Sequence, residues 1–196
     1  MIDFDGARQF IINKLKNELR PELQYHNFEH TLDVLESVER LAQLEKENGH
    51  GLLLLKTAAL FHDSGMLIQY GDHEEASGII TRQYLPDFGY TEQDIEIINK
   101  MILSTKLPQS AHTRLEKILC DADLDYLGRD DFYMIAHRLR YEWSQLNIFP
   151  TSLYEWYRLQ LNFLIHHDYY TPSATHLRQE KKNIHLAEIR ELIREG

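Results

Sequence analysis

Apolar positions recur along most of this chain at the spacing of one helix face. Phe10, Ile11, Leu15 and Leu19 form one such set, Leu32, Leu35, Val38 and Leu41 a second, and Ile95, Ile98, Met101 and Ile102 a third. All five prolines (Pro21, Pro86, Pro108, Pro150 and Pro172) fall between the periodic segments, where a residue without an amide proton separates or starts helices. "TEQD" at Thr91–Asp94 and "SLYE" at Ser152–Glu155 have the form of capping boxes, in which a hydroxyl and an acid three residues apart satisfy free backbone amides. No segment alternates with a period of two between turn residues, so almost no strand is expected. The pattern predicts helices at about 5–20, 27–47, 51–64, 73–85, 91–105, 111–125, 130–146, 152–168 and 173–194. The expected fold class is all-α, one helical domain over 1–196 with eight to nine helices and no repeat or long linker.

Composition narrows the setting. At 196 residues the chain is long enough to bury a real core, and 43 % apolar with 11 % aromatic residues excludes general disorder. A net charge of −10 argues against a nucleic-acid surface or an anionic membrane as partner. A metal-rich pocket can still attract phosphate locally, so a nucleotide ligand stays open. The single cysteine, Cys120, excludes an intrachain disulfide, and the start "MIDFDGARQF" has no basic region followed by an apolar one. A cytoplasmic protein without a signal peptide is expected. The most apolar stretch, "GLLLLKTAALF", is short and carries Lys56, which excludes a conventional membrane span.

Three polar fragments interrupt this pattern. "YHNFEHTLDVL" (Tyr25–Leu35) sets His26 and His30 at the opening of a helix. "AALFHDSG" ends an apolar run with His62 and Asp63, and "ILCDADLDYLG" places Asp121, Asp123 and Asp125 between Ile118, Leu119 and Leu124. A carboxylate buried without a partner costs several kcal/mol, and a divalent cation is an efficient partner. Imidazoles with carboxylates suit Zn, Mn, Fe, Co or Ni better than Ca, with Mg tolerated less well, and such a mixed set leaves positions open for water and substrate. No CxxC or HExxH spacing competes; "HEEAS" at His73 ends in Ser77.

His30, the pair His62–Asp63 and Asp123 match the H…HD…D signature, and the chain thereby resembles the HD-domain metal-dependent phosphohydrolase superfamily. "YHNFEH" is similar to the YHNxxH element of cyclic-nucleotide phosphodiesterases. "DADLDYLG", "LRYEW" (Arg140, Glu142, Trp143) and "KKNIHLAEI" resemble flanking segments of predicted metal-dependent HD phosphohydrolases, so the likeness runs from about residue 25 to about 190. It implies an HD-type helical core over about 25–130, with C-terminal helices from about 130 to 194 packed on it. Residue by residue, it implies His30, His62, Asp63 and Asp123 as ligands of a divalent ion (Mn, Mg, Zn, Co, Ni or Fe). It implies hydrolysis of a phosphate ester of a small molecule, a nucleotide in the first place. Asp121 lies ~200° around a helix from Asp123, so both cannot point straight at one ion; it stays as an alternative ligand or as a residue that orients one. By the phosphodiesterase likeness, His26 protonates the leaving group. With Asn27 as cap, His26 sits just outside a helix N-terminus, a natural place for phosphate.

The departures are specific. Nucleotidase-type HD proteins carry Glu three residues after the HD aspartate, where this chain has Met66. Glu74 or Glu75 is then expected to orient the attacking water. His73 is a candidate extra ligand or substrate contact, and Lys106 a candidate contact to a substrate phosphate or a charge serving its helix end. His166–His167–Asp168 reads as a helix end, and the aromatics Phe132, Tyr133, Tyr141, Trp143, Tyr154, Trp156 and Tyr157 read as core. His50, His112, His137, His176 and His185 fit no ligand pattern. Two other functions stay open: a metal- and nucleotide-binding regulatory module without turnover, and a di-iron oxygenase, which needs further histidines that 91–106 lacks. The oligomeric state is open.

Overall fold

Side-chain caps decide where most helices of this chain begin. The computed structural model describes residues 1–149 and 152–194. Among these it contains nine α-helices and no strand: α1 (Phe4–Glu18), α2 (Phe28–Leu44), α3 (Gly49–Phe61), α4 (His73–Tyr84), α5 (Glu92–Ser104), α6 (Arg114–Asp123), α7 (Phe132–Gln145), α8 (Leu153–His166) and α9 (Pro172–Arg194). The all-α expectation holds. Pro86 sits in a short 3₁₀ turn after α4 and Pro172 opens α9, whereas Pro150 lies outside the described residues. No helix among the described residues is long and apolar enough to cross a membrane.

Asp3 caps α1 through the Gly6 amide, and Asn27 caps α2 by accepting from Glu29 and His30. The capping boxes expected at Thr91–Asp94 and Ser152–Glu155 both form. A third, Thr113 with Glu116, was not anticipated. It starts α6 at Arg114, later than periodicity alone suggested, because it fixes which amides are satisfied by a side chain. Two helices also end early. α3 stops at Phe61, so His62 and Asp63 lie just past its last turn, and α6 stops at Asp123 because Leu124 leaves the helical conformation.

The core falls into two clusters. The first draws on α1 to α6, including Ile11, Val38, Leu55, Phe61, Ile98 and Leu119, all fully or almost fully buried. The second gathers Tyr25, Leu124, Leu127, Phe132, Trp156, Leu164 and Ile189 around α7 to α9. Trp156 and Phe132 are core as expected, while Tyr141 and Tyr154 are exposed.

The acids of "DADLD" tie these layers together. Asp121 lies outside the group of His30, His62 and Asp123 and is engaged elsewhere. It accepts from the amides of Tyr170 (2.8 Å) and Thr171 (2.8 Å) and from the Thr171 hydroxyl (2.7 Å), and the same hydroxyl accepts from Ala174 in the first turn of α9. Asp125 is buried against arginines: Arg178 at 2.7 Å, Arg40 at 2.8 Å and Arg129 at 3.5 Å. Burial pushes the Asp121 carboxyl up to about 6, against the three donors that favour its ionised form. Asp121→Ala should strip the start of α9 of its buried acceptor and lower stability by about 1–3 kcal/mol. Thermal melting will show this as a reduced Tm, while metal content of the folded fraction, read by elemental analysis, stays unchanged. Loss of metal at full stability would place Asp121 in the metal site after all.

Candidate metal centre

The residues of the H, HD and D fragments all lie at helix ends and meet at one point. His30 is in the first turn of α2, His62 and Asp63 follow α3, and Asp123 is the last residue of α6. His30 Nε2 lies 3.2 Å from Asp123 Oδ1, 3.5 Å from Asp63 Oδ2 and 3.4 Å from His62 Nε2. His62 Nε2 lies 3.2 Å from Asp63 Oδ2 and 3.4 Å from Asp123 Oδ1. Ligand atoms held about 2.0–2.2 Å from a shared ion stand roughly 3–3.5 Å apart, and these separations fall in that range.

Local structure aims each group. His62 Nδ1 donates to the Ala59 carbonyl at 2.8 Å, which turns Nε2 toward the cluster as the nitrogen that can ligate a metal once it carries no proton. The HD backbone is held by Ser77, whose hydroxyl donates to His62 O and accepts from the Gly65 amide, both at 2.7 Å. Gly65 is required there: a Cβ would come 1.9 Å from the His73 carbonyl oxygen. The start of α4 therefore packs directly on the HD turn.

The donor set fits a divalent cation. His30, His62 and Asp123 form a group able to hold a metal ion; Asp63 lies outside that group but close to both imidazoles, and its buried Oδ2 has no hydrogen-bond partner. Oxygen and nitrogen lone pairs crowded together in a buried space repel unless a proton or a cation lies between them. The electrostatics follow. Burial works against a charged imidazole at His62, but Asp63 and Asp123 outweigh it and push its pKa well above the ordinary histidine value. Burial likewise works against charge on the acids, yet His62 and His73 hold Asp63 well below the carboxylate range, and His30 with His62 hold Asp123 down to about 2.

Beside this cluster stands His26, its ring centroid 6.4 Å from that of His30. Glu142, on α7, is completely buried and fixes it. Glu142 Oε2 accepts from the Tyr25 and His26 amides at 2.8 and 3.0 Å, and Oε1 accepts from His26 Nδ1 at 2.5 Å and the Tyr70 hydroxyl at 2.9 Å. Trp143 Nε1 donates in turn to Tyr70 Oη at 2.8 Å. Burial would raise Glu142, but the His26 imidazole and the two amides keep its carboxyl below the ordinary value. In the sequence Glu142 stands within the family-like segment "LRYEW", and Tyr70 belongs to none of the motifs. The available signal was a lone acid inside an aromatic helix, which needs a buried partner.

The remaining candidates divide by distance from this point. His73 donates from Nδ1 to the Tyr70 carbonyl at 3.1 Å and places Nε2 3.2 Å from Asp63 Oδ1, the oxygen turned away from the imidazole pair. Although burial opposes it, Asp63 raises the His73 pKa to about 9. Glu74 is buried, with Oε1 3.6 Å from His73 Nε2. Glu75 and Lys106 lie farther out and pair with each other at 2.7 Å, and Lys106 also reaches Asp72 at 2.6 Å. Met66 is buried. His166 ends α8, with His167 as its C-terminal cap.

The sequence profile of the HD domain matches residues 27–125, which span α2 to α6 and contain His30, His62, Asp63 and Asp123. An uncharacterized protein of Clostridium beijerinckii is 37 % identical over 81 residues, 40 % of this chain and 51 % of that protein. The chain thus spans about half the length of that curated relative. Its fold is similar to the crystal structure of a predicted HD superfamily hydrolase from an uncultured Thermotogales bacterium, with a TM-score of 0.62 and 19 % identity over 97 % of this chain and 91 % of that one. The profile covers just over half of the chain and takes in all four residues of the cluster, so the chain belongs to the HD domain family.

Proposed function

We propose that this protein is a metal-dependent phosphohydrolase that cleaves a phosphate ester of a small molecule, with phosphorylated nucleosides as the substrate class. The carrying observation is the convergence of two imidazoles and two carboxylates at one point, next to a third imidazole held by its own buried acid. In this reading His30, His62, Asp63 and Asp123 hold one divalent ion, which supplies charge to polarise a phosphoryl oxygen and acidify a water. His26 is the general acid. Glu142 holds Nδ1, so Nε2 is the nitrogen left to give its proton to the departing alkoxide. His73 and Glu74 take the place left by Met66 and orient the attacking water from the Asp63 side. Lys106, paired with Asp72 and Glu75, sits at the rim and meets a substrate phosphate only by exchanging partners. Met66 also favours a second reading, a module that binds the metal and a phosphorylated ligand without turnover.

A hydrolysis screen over nucleotides and generic phosphoesters, run with Mn, Mg, Co and Ni in turn, tests the proposal. Turnover dependent on one of these ions is expected; tight nucleotide binding with no turnover under any ion selects the second reading. Asp63→Ala and His62→Ala should each weaken metal retention by ~100-fold or more, beyond the 10–100-fold typical of residues that only support a ligand. Elemental analysis after dialysis reads this directly, and full retention in both variants would remove the ion from this cluster.

His26→Ala should keep the metal and slow esters with a poor alkoxide leaving group by ~10²–10⁴-fold, the usual worth of a placed acid. A nitrophenyl phosphoester, which departs without protonation, should lose much less. Glu142→Gln keeps the shape but not the charge, and should follow the same substrate contrast with a smaller loss of ~10–100-fold. Equal slowing of both substrates would assign His26 and Glu142 to the framework.

Metal uptake should release protons. The raised His62 pKa means that its Nε2 carries a proton at neutral pH when no ion is bound, and an ion can bind only after that proton leaves. Metal affinity therefore rises with pH through the neutral range. Titration calorimetry in two buffers of different ionisation enthalpy will count the protons; identical heats in both would contradict this.

A further inference from the structure

The connection between the 3₁₀ turn Ser64–Leu67 and α4 carries Tyr70, a half-buried residue at which the two sides of the candidate site join. Its hydroxyl donates to Glu142 Oε1 at 2.9 Å, the oxygen that also accepts from His26 Nδ1 at 2.5 Å. Its backbone carbonyl accepts from His73 Nδ1 at 3.1 Å, and that ring brings Nε2 to 3.2 Å from Asp63 Oδ1. One residue thus holds His26 through its side chain and His73 through its main chain.

The direction of the hydroxyl bond is settled by its neighbours. An indole N–H only donates, and Trp143 Nε1 gives its proton to Tyr70 Oη at 2.8 Å. Glu142, ionised, only accepts, so the phenol proton points at Oε1. Burial and the Glu142 carboxylate push the phenol well above its ordinary range, which keeps that proton on the oxygen. A carboxylate has about four lone-pair sites, and all are used here: Oε2 takes the Tyr25 and His26 amides, and Oε1 takes His26 Nδ1 and Tyr70 Oη. Glu142 is completely buried, so the site that Tyr70 fills would otherwise stand empty. The rings agree with this arrangement. Tyr25 and Tyr70 meet the His26 ring edge-on at centroid distances of 4.7 and 5.6 Å, and His73 stands at 5.4 Å. A swing of the imidazole would part Nδ1 from Glu142 or drive the ring against one of these three.

We propose that Tyr70 is a positioning residue that acts through Glu142: its hydroxyl locks the carboxylate, and the carboxylate holds His26 with Nε2 free to face the departing oxygen. The role of His26 toward substrate rests on the phosphohydrolase reading; the positioning does not. Without the fourth donor the carboxylate can share its lone pairs among the remaining three in more than one way, and the ring it holds gains the same freedom.

The test uses the full-length protein and Tyr70→Phe, which keeps the ring and the carbonyl and removes one oxygen. Nuclear magnetic resonance without metal or substrate should show the His26 Nδ1–H signal moved and its exchange with solvent faster. The His185 Nδ1–H signal, whose acceptor is the distant Leu127 carbonyl, should stay in place. Turnover of esters with a poor alkoxide leaving group should fall by ~10-fold in kcat with KM kept, the low end for a bond to a charged acceptor, while a nitrophenyl phosphoester loses much less. Added to Glu142→Gln, Tyr70→Phe should cost almost nothing further, because residues that act through one another are not additive. If Tyr70→Phe does not fold, Trp143→Phe, which only frees the hydroxyl to rotate, should move the same His26 signal by less. An unmoved His26 signal in the folded variant, or a full additive loss in the double variant, would overturn the assignment. A moved signal with no ester hydrolysed under any ion would leave Tyr70 assigned and remove the hydrolase reading; ester hydrolysis with the His26 signal unmoved would do the reverse.

Discussion

Crowding of like-natured lone pairs in a buried space is the constraint on which the rest of this structure depends. The Nε2 atoms of His30 and His62 lie 3.4 Å apart, and each lies 3.2–3.5 Å from an oxygen of Asp63 and an oxygen of Asp123, where water has little access. Such an arrangement is stable only with positive charge inside it, from protons or from a cation. The surrounding fold is arranged to keep these groups in place. The Ala59 carbonyl turns His62 Nε2 toward the cluster, Ser77 clasps the HD turn, and Gly65 lets α4 approach.

Placement at helix ends makes the crowding feasible. A side chain in a helix interior shares its face with apolar neighbours, whereas one at a terminus sits where the backbone turns and the direction changes from one residue to the next. α6 shows this well. Asp121, Asp123 and Asp125 are spaced by two, and they serve the start of α9, the imidazole pair and the arginines of α2 and α9 respectively. The helix ends between the second and third of them, so periodicity relates only the first two.

Glu142 couples the two core clusters to the site. Its carboxylate gathers two backbone amides and His26 from the segment before α2, and Tyr70 from the loop before α4, onto one buried point of α7. All of these bonds are to a charged acceptor, and such bonds are stronger than neutral ones. The position of His26 relative to the ion cluster is therefore set by a residue more than a hundred positions away in the chain.

Much of this was legible along the chain. Helix-period apolar residues, prolines at the joints and capping boxes are local signals, since both partners lie within a few residues and the backbone geometry between them is nearly invariant. They determine the all-helical class and the number of helices. The H, HD and D fragments likewise announce that buried charge must be compensated, because apolar flanks and ionisable residues occur together in the chain itself. What the chain could not settle is where each polar group points once the helices pack. Asp121 differs from Asp123 by two residues and has an unrelated partner, Glu142 reads as one more helical acid, and Glu75 and Lys106 are paired with each other. The partners of these groups come from distant segments. Tertiary structure alone decides their roles, because the free energy of a buried charge depends on what other parts of the fold bring within about 3 Å of it.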